Sequence, residues 1–168
     1  MIERKGLITM QGNPLTLLGP ALQVGDKAPD FTVIAGDLAP VSLSHSAGKT
    51  RLFNVVPSLD TPVCDAQTKR FDREAEKFPS NVEVLTISMD LPFAQKRFCN
   101  ANSIKVKTLS DFNTASFGQN YGVLIKELRL LTRAIFVVGP DDKIKYIEIV
   151  PEITQHPNYD RALAAVRA

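Results

Sequence analysis

Cysteine and histidine are scarce in this chain, with two of each among 168 residues. Two cysteines are too few for an extracellular disulfide scaffold, and in a reducing compartment such a pair serves catalysis or redox sensing more often than structure. His45 and His156 lie in polar, loop-like stretches and read as surface residues. There is no His-Glu-x-x-His, and the histidines and cysteines lack metal-ligand spacing. Nothing therefore favours a metal site, a cofactor, or a cysteine–histidine hydrolase. An excess of one charge is missing too. The 20 Lys and Arg residues are mixed with 18 Asp and Glu, so no basic surface for nucleic acid is implied, and Lys105 and Lys107 read as a solvated strand face. No apolar run approaches the roughly 20 residues that span a bilayer. Met1-Ile-Glu-Arg-Lys5 is followed by Thr9, Gln11, Gly12 and Asn13, not by the apolar core of a secretory signal. The expectation is a cytoplasmic protein with no membrane and no nucleic-acid partner.

What is present is an ordinary globular composition, 44% hydrophobic and 23% charged, at a length that suits one domain, residues 1–168, with a substantial core. Residues 2–10 and 15–24 flank Gln11-Gly-Asn-Pro14 and suggest a small β-hairpin. Phe31–Ile34 reads as a short strand, and Val41 and Leu43 as part of another. Leu52–Val56 is a short apolar run with one polar residue, the signature of a buried strand. Cys64, Phe71, Ala75 and Phe78 share a helical face that Pro79-Ser-Asn81 ends. Val82–Ser88 is the next strand, and Asp90 is the expected N-cap of a helix running to about Cys99–Asn102. Val106–Leu109 is a strand. Asp111 opens a helix ending near Gly122, with Phe112 and Phe117 in the core. Thr132–Val138 and Ile144–Val150 pair across Gly139-Pro-Asp-Asp142, and Asn158–Arg167 is a closing amphipathic helix. There are no internal repeats.

The chemistry gathers where the buried strand ends. Pro57 stops Leu52–Val56, because proline has no N–H to give a ladder. Ser58, Leu59 and Asp60 turn the chain. Thr61-Pro62 is a helix start, threonine as N-cap and proline at the first helical position. Cys64 then falls in the first helical turn. Free amides and the helix dipole favour a thiolate at such a place. Asp65 follows directly, and helical rotation should aim it elsewhere.

Pro57-Ser-Leu-Asp-Thr61-Pro-Val-Cys64 resembles the Pro-x-x-x-Thr-x-x-Cys motif of peroxiredoxins. Ser88-Met-Asp-Leu-Pro-Phe-Ala-Gln-Lys-Arg-Phe-Cys99 is similar to the segment of the bacterial thiol peroxidase subgroup that holds its resolving cysteine. Val24-Gly-Asp-Lys-Ala-Pro-Asp-Phe31 resembles the family's opening segment, and Glu152-Ile-Thr with Asn158-Tyr-Asp160 the subgroup's C-terminus. The resemblance runs from about Gln11 to the end. It implies an α/β fold, a thioredoxin-like three-layer sandwich with the N-terminal hairpin as an added edge.

It also implies peroxide reduction. Cys64 would attack a hydroperoxide, become a sulfenic acid, and close an intramolecular disulfide with Cys99 that thioredoxin or a similar dithiol reduces. Thr61 would hydrogen-bond the thiolate and the peroxide as well as cap the helix, and Pro57 would shield the site from water. Arg133, ahead of Ala-Ile-Phe-Val-Val, matches the family arginine, with Arg129 as a rival because Lys126–Thr132 is bulkier than the family pattern. A homodimer is expected, and a peroxide sensor using the same disulfide is the alternative. Ionisation alone would not make such a thiol fast. Moving a thiol's pKa from about 8.5 to about 6 raises the thiolate fraction by about an order of magnitude. A Brønsted slope of about 0.4–0.5 takes back a similar factor in nucleophilicity. Oriented donors on the O–O bond must supply the rest.

Overall fold

A computed structural model describes every residue from Met1 to Ala168. In chain order its elements are β1 (Glu3–Met10), β2 (Asn13–Leu18), β3 (Thr32–Ile34), β4 (Pro40–Ser42), a 3-10 turn at Leu43–Ser46, β5 (Thr50–Val55) and α1 (Pro62–Ala75). There follow β6 (Val82–Ser88), α2 (Pro92–Asn102), β7 (Lys107–Ser110), α3 (Ser116–Asn120), β8 (Leu124–Ile125), β9 (Ala134–Val138), β10 (Ile144–Ile149) and α4 (Tyr159–Arg167).

The strand that leads to Cys64 is the centre of the sheet. All six residues of β5 are buried, with β6 parallel on one side and β9 antiparallel on the other. The strand order is β10-β9-β5-β6-β7-β3-β4. Alternation sends Leu52 to one face, where it packs with Phe71, Ile135 and Leu163 from α1, β9 and α4. Phe53 and Val55 point to the other, into a cluster with Phe31, Phe117, Tyr121 and Phe136. There Phe117 and Tyr121 stack at 4.2 Å, and Phe53 meets Phe117 edge-on at 5.5 Å. The crossovers β5-α1-β6 and β6-α2-β7 run the same way along the sheet, so right-handedness puts α1 and α2 on one face with α4. Helices, sheet and the α3 side form the expected three layers.

The structure differs from the sequence reading at five places, each for a physical reason. The hairpin is not an edge of the main sheet; β2 pairs with β8 to make a separate sheet of order β1-β2-β8. Residues 19–24 leave the strand because Gly19, at φ +110°, runs against α3, where a Cβ would stand 2.2 Å from the Gln119 carbonyl. Asp90 does not cap α2. Leu91 holds that position without a side-chain cap, and the Asp90 carboxylate accepts from Ser58 Oγ, Leu59 N and Ser88 Oγ instead.

The two remaining differences share one cause. The Asp111 carboxylate receives the N–H groups of Phe117 (3.0 Å) and Gly118 (2.8 Å), so it serves a helix that starts at Ser116 and the chain between must loop out. Phe112 lies in that loop, 39% exposed, whereas Phe117 is fully buried. Replacing Phe117 by Ala should therefore lower unfolding free energy by about 3–5 kcal/mol. Phe112→Ala should change it by less than about 1 kcal/mol, as for a surface position. Urea denaturation of both variants checks this, and equal losses would contradict the assignment of the two rings.

Candidate active site

Cys64 is placed by three local features. Pro57 is buried at the end of the β5 segment, and Thr61 is the N-cap of α1 at φ −102°, ψ 149°. Thr61 Oγ1 accepts from the Cys64 amide at 3.4 Å, and its hydroxyl donates to the Ser58 carbonyl at 3.2 Å. In this arrangement the hydroxyl serves the turn, and the expected Thr61 bond to the sulfur is not formed. Cys64 has no solvent exposure and packs with Val56, Leu59 and Phe98. Asp65 points away and pairs with Lys69 at 2.8 Å.

Strand register brings the arginine. The antiparallel pairing of β5 and β9 ends with Val55 opposite Ala134, so Arg133 comes next, at the end of the sheet where Pro57 and Cys64 leave β5. It shares strand parity with Ile135 and Val137, which face α1. Its Nη2 donates to Cys64 Sγ at 3.3 Å, its Nη1 to Gln67 Oε1 at 2.8 Å, and its Nε to the Ile153 carbonyl at 2.8 Å. Arg133 is 2% exposed, and none of these three partners is a carboxylate. Arg129 sits instead on an exposed turn with φ 55°, its charge acting on Asp111.

Gln67 continues the network inward. Its Nε2 donates to Asn54 Oδ1, and Asn54 Nδ2 donates to Thr68 Oγ1 (3.2 Å) and Thr86 Oγ1 (3.1 Å). Sequence reasoning missed this support, although two signals were there. Asn54 is the lone polar residue of the Leu52–Val56 run, and a buried amide must find partners. Gln67 stands three residues after Cys64, on the same helical face. Outside Arg133 lies a small cavity of about 180 Å³ lined by Met10, Pro57, Thr61, Val63, Ile153 and Thr154 among others. A water molecule's share of liquid is about 30 Å³, so the space suits a small molecule and excludes a folded partner.

Cys99 belongs to different surroundings. Both cysteines are free. Cys99 is partly exposed near the end of α2, its Sγ 3.6 Å from Thr108 Oγ1. Burial pushes its thiol up, the Thr108 bond opposes that, and the nearby Asp72 charge adds to it. It lines a groove of about 570 Å³ with Pro40, Val41, His45, Lys96 and Leu109 among others. Phe98, one residue earlier, faces the other way onto Cys64.

His45 Nδ1 accepts from the Ser42 amide, and His156 pairs with the Tyr159 hydroxyl. No group of three or more His, Cys, Asp or Glu side chains converges on a metal position, and no helix is long and apolar enough to cross a membrane. Chemically, a buried sulfur at a helix N-terminus beside an unmatched guanidinium is built to attack a small electrophile whose departing atom gains negative charge.

Comparison with known proteins points the same way. Residues 23–163 match the Redoxin family. The chain is 57% identical over 162 residues to the thiol peroxidase of Halalkalibacterium halodurans, covering 96% of this chain and 97% of that protein. It is 53% identical over 162 residues to the thiol peroxidase of Bacillus subtilis, covering 96% of each. The crystal structure of a peroxiredoxin-like protein from Aquifex aeolicus superposes with a TM-score of 0.89 at 41% identity, covering 97% of each chain. The thiol peroxidase of Chromobacterium violaceum, at 18% identity, shares the fold with a TM-score of 0.84 over 95% of this chain and 94% of that one.

The raised Cys99 thiol gives a pH prediction. A thiol displaced upward is protonated at neutral pH and ionises only above the ordinary midpoint of about 8.5. In the Cys64→Ser variant, where Cys99 is the sole thiol, the alkylation rate with iodoacetamide should be low at neutrality and still climbing beyond that midpoint. A plateau reached below it would show that burial does not control this thiol.

Proposed function

The chain belongs to the Redoxin family, among its thiol peroxidases, and reduces peroxides at the expense of thiols; we propose that Cys64 is the attacking sulfur and Cys99 its resolving partner. The observation that carries the reading is the 3.3 Å contact of Arg133 Nη2 with Cys64 Sγ, in a buried pocket at the N-terminus of α1. Cys64 thiolate attacks one peroxide oxygen. An S–O bond forms, the O–O bond breaks, and the departing alkoxide or hydroxide takes a proton to leave as alcohol or water. The sulfur has lost two electrons and is a sulfenic acid. Arg133 and the amides of the first turn face the oxygen pair as its charge shifts. Thr61 turns its hydroxyl from Ser58 to the bound oxygen, and Pro57 keeps water from the intermediate.

Cys99 then condenses with the sulfenic acid, forming the S–S bond and expelling water. Disulfide geometry needs the two Cα atoms within about 7 Å, yet Cys64 faces Arg133 while Cys99 faces Thr108. The first turn of α1 therefore unwinds to deliver Cys64. A thioredoxin-type dithiol returns the enzyme to its starting state by attacking the disulfide at Cys99, since the groove opens on that sulfur and the cavity outside Arg133 is too small for a protein. The whole chain, 1–168, works as one unit in the cytoplasm. It does so as a homodimer, which exposed Leu91 and Phe93 at the start of α2 support.

Stopped-flow mixing with hydrogen peroxide tests the chemistry. The parent protein should be oxidised rapidly to the disulfide. Cys99→Ser should consume about one peroxide per chain and stall, and Cys64→Ser should be inert; rapid oxidation of the latter would remove Cys64 from the role. With thioredoxin, its reductase and NADPH, continuous NADPH consumption marks an enzyme, whereas a sensor halts after one equivalent. The movement is read separately by hydrogen exchange. Amides of Val63–Gln67 should exchange faster in the disulfide form than in the dithiol form, and unchanged protection would argue against unwinding.

A further inference from the structure

Arg133 is aimed by two anchors that belong to different parts of the molecule. Gln67 sits on α1, the helix whose first turn must open in each cycle. The Ile153 carbonyl, 2.8 Å from Arg133 Nε, sits on the loop between β10 and α4. That carbonyl is the fixed anchor, and its own position needs a cause.

The cause is Glu152. Its Oε1 accepts from Thr9 Oγ1 at 2.8 Å and Gly12 N at 2.9 Å, both in the N-terminal hairpin. Its Oε2 accepts from Thr154 N at 3.0 Å and Thr154 Oγ1 at 2.7 Å. The carboxylate thus clamps the hairpin to its own loop and pins the loop on the far side of Ile153. Backbone bonds complete the join, Thr9 N to the Pro151 carbonyl at 2.7 Å and Ile153 N to the Thr9 carbonyl at 3.0 Å. The Thr154 hydroxyl foremost, with the Gly12 and Thr154 amides, holds the Glu152 carboxyl well below the usual carboxylate range, so the clamp stays ionised at any working pH.

We propose that Glu152 is a positioning residue of the peroxidase site, fastening the β1–β2 hairpin to the loop whose Ile153 carbonyl aims Arg133 at Cys64. The hairpin is then part of the active site, and Met10 at its end already walls the small cavity. The inference rests on the reading that Cys64 and Arg133 reduce peroxide. It adds a second support that stays in place while Gln67 moves with α1.

Glu152→Gln tests it, because the isostere replaces one acceptor oxygen with a donor that faces the Thr154 donors. Two measurements apply to the full-length reduced protein. Oxidation by hydrogen peroxide should slow by about 10- to 100-fold, the scale of a misplacement of about 1 Å in a catalytic group. The Arg133 Nε–H resonance, protected from solvent exchange in the parent by its bond to Ile153, should lose that protection. A merely structural role for Glu152 would leave the resonance unmoved. If Glu152→Gln does not fold, Thr154→Val removes one hydroxyl donor and should shift both readouts the same way by less. A folded variant with parental rate and protection overturns the proposal. A parent protein that peroxide leaves unoxidised overturns the underlying reading instead.

Discussion

A guanidinium buried to 2% exposure without a carboxylate beside it is the constraint around which this site is arranged. Arginine does not surrender its proton inside a protein, and an unmatched buried charge costs several kcal/mol. The fold meets Arg133 with a main-chain carbonyl, a side-chain amide and a sulfur. Of these only the sulfur can carry a full negative charge. The demand runs outward from there. Gln67 must itself be held, which requires Asn54 in the middle of a buried strand, and Asn54 in turn requires Thr68 and Thr86. A polar chain from α1 to β6 crosses the hydrophobic layer because one cation sits at its end.

Much of this was legible in the sequence, and what was not shares a character. The strand leading to Cys64, the Thr61-Pro62 helix start and the outward turn of Asp65 followed from rules acting within a few residues. Arg133 could be named only by resemblance, but strand parity and the β5–β9 register supply a physical reason for its place. The misreadings came where a polar side chain chose a distant partner over a near one. Asp90 offered itself as the cap of α2, but Ser58, Leu59 and Ser88 supplied more donors than a helix end could. Asp111 also took helix amides, several residues further along than a local cap reaches, and so displaced Phe112 from the core. The hairpin's pairing with β8 depends on a two-residue strand no periodicity reveals. Propensity and pattern describe the chain's neighbours in sequence; these choices were settled by neighbours in space.

The division of work proposed for the two sulfurs follows from surroundings that differ in access. Cys64 is fully buried, and the space outside its Arg133 neighbour, about 180 Å³, has room for a small oxidant and not for a protein. Cys99 stands in a groove about three times larger, of about 570 Å³, with its thiol pushed toward the protonated form by burial. In the proposed cycle the first sulfur meets the substrate, and the second a reductant. Neither arrangement suits the other's task, so the proposed cycle carries oxidation from the closed pocket to the open groove.

In the proposed cycle that transfer is aided by the same unmatched charge. In the proposed mechanism the contact between Cys64 and Arg133 keeps the first turn of α1 in place before oxidation. On the proposed oxidation the sulfur would become a neutral sulfenic acid, and Arg133 would be left without a counter-ion and without being able to lose its proton. What still ties down the first turn is the Thr61 cap, a 3.4 Å contact of a kind that contributes about 1 kcal/mol, and the packing of Cys64 on Val56, Leu59 and Phe98. Helix ends fray readily, since their first amides have no helical acceptors. The proposed unwinding would then relieve a buried charge by letting water or the peptide chain reach it. The proposed chemical step would therefore weaken the local structure at the moment when Cys64 has to leave, and reduction would restore the turn.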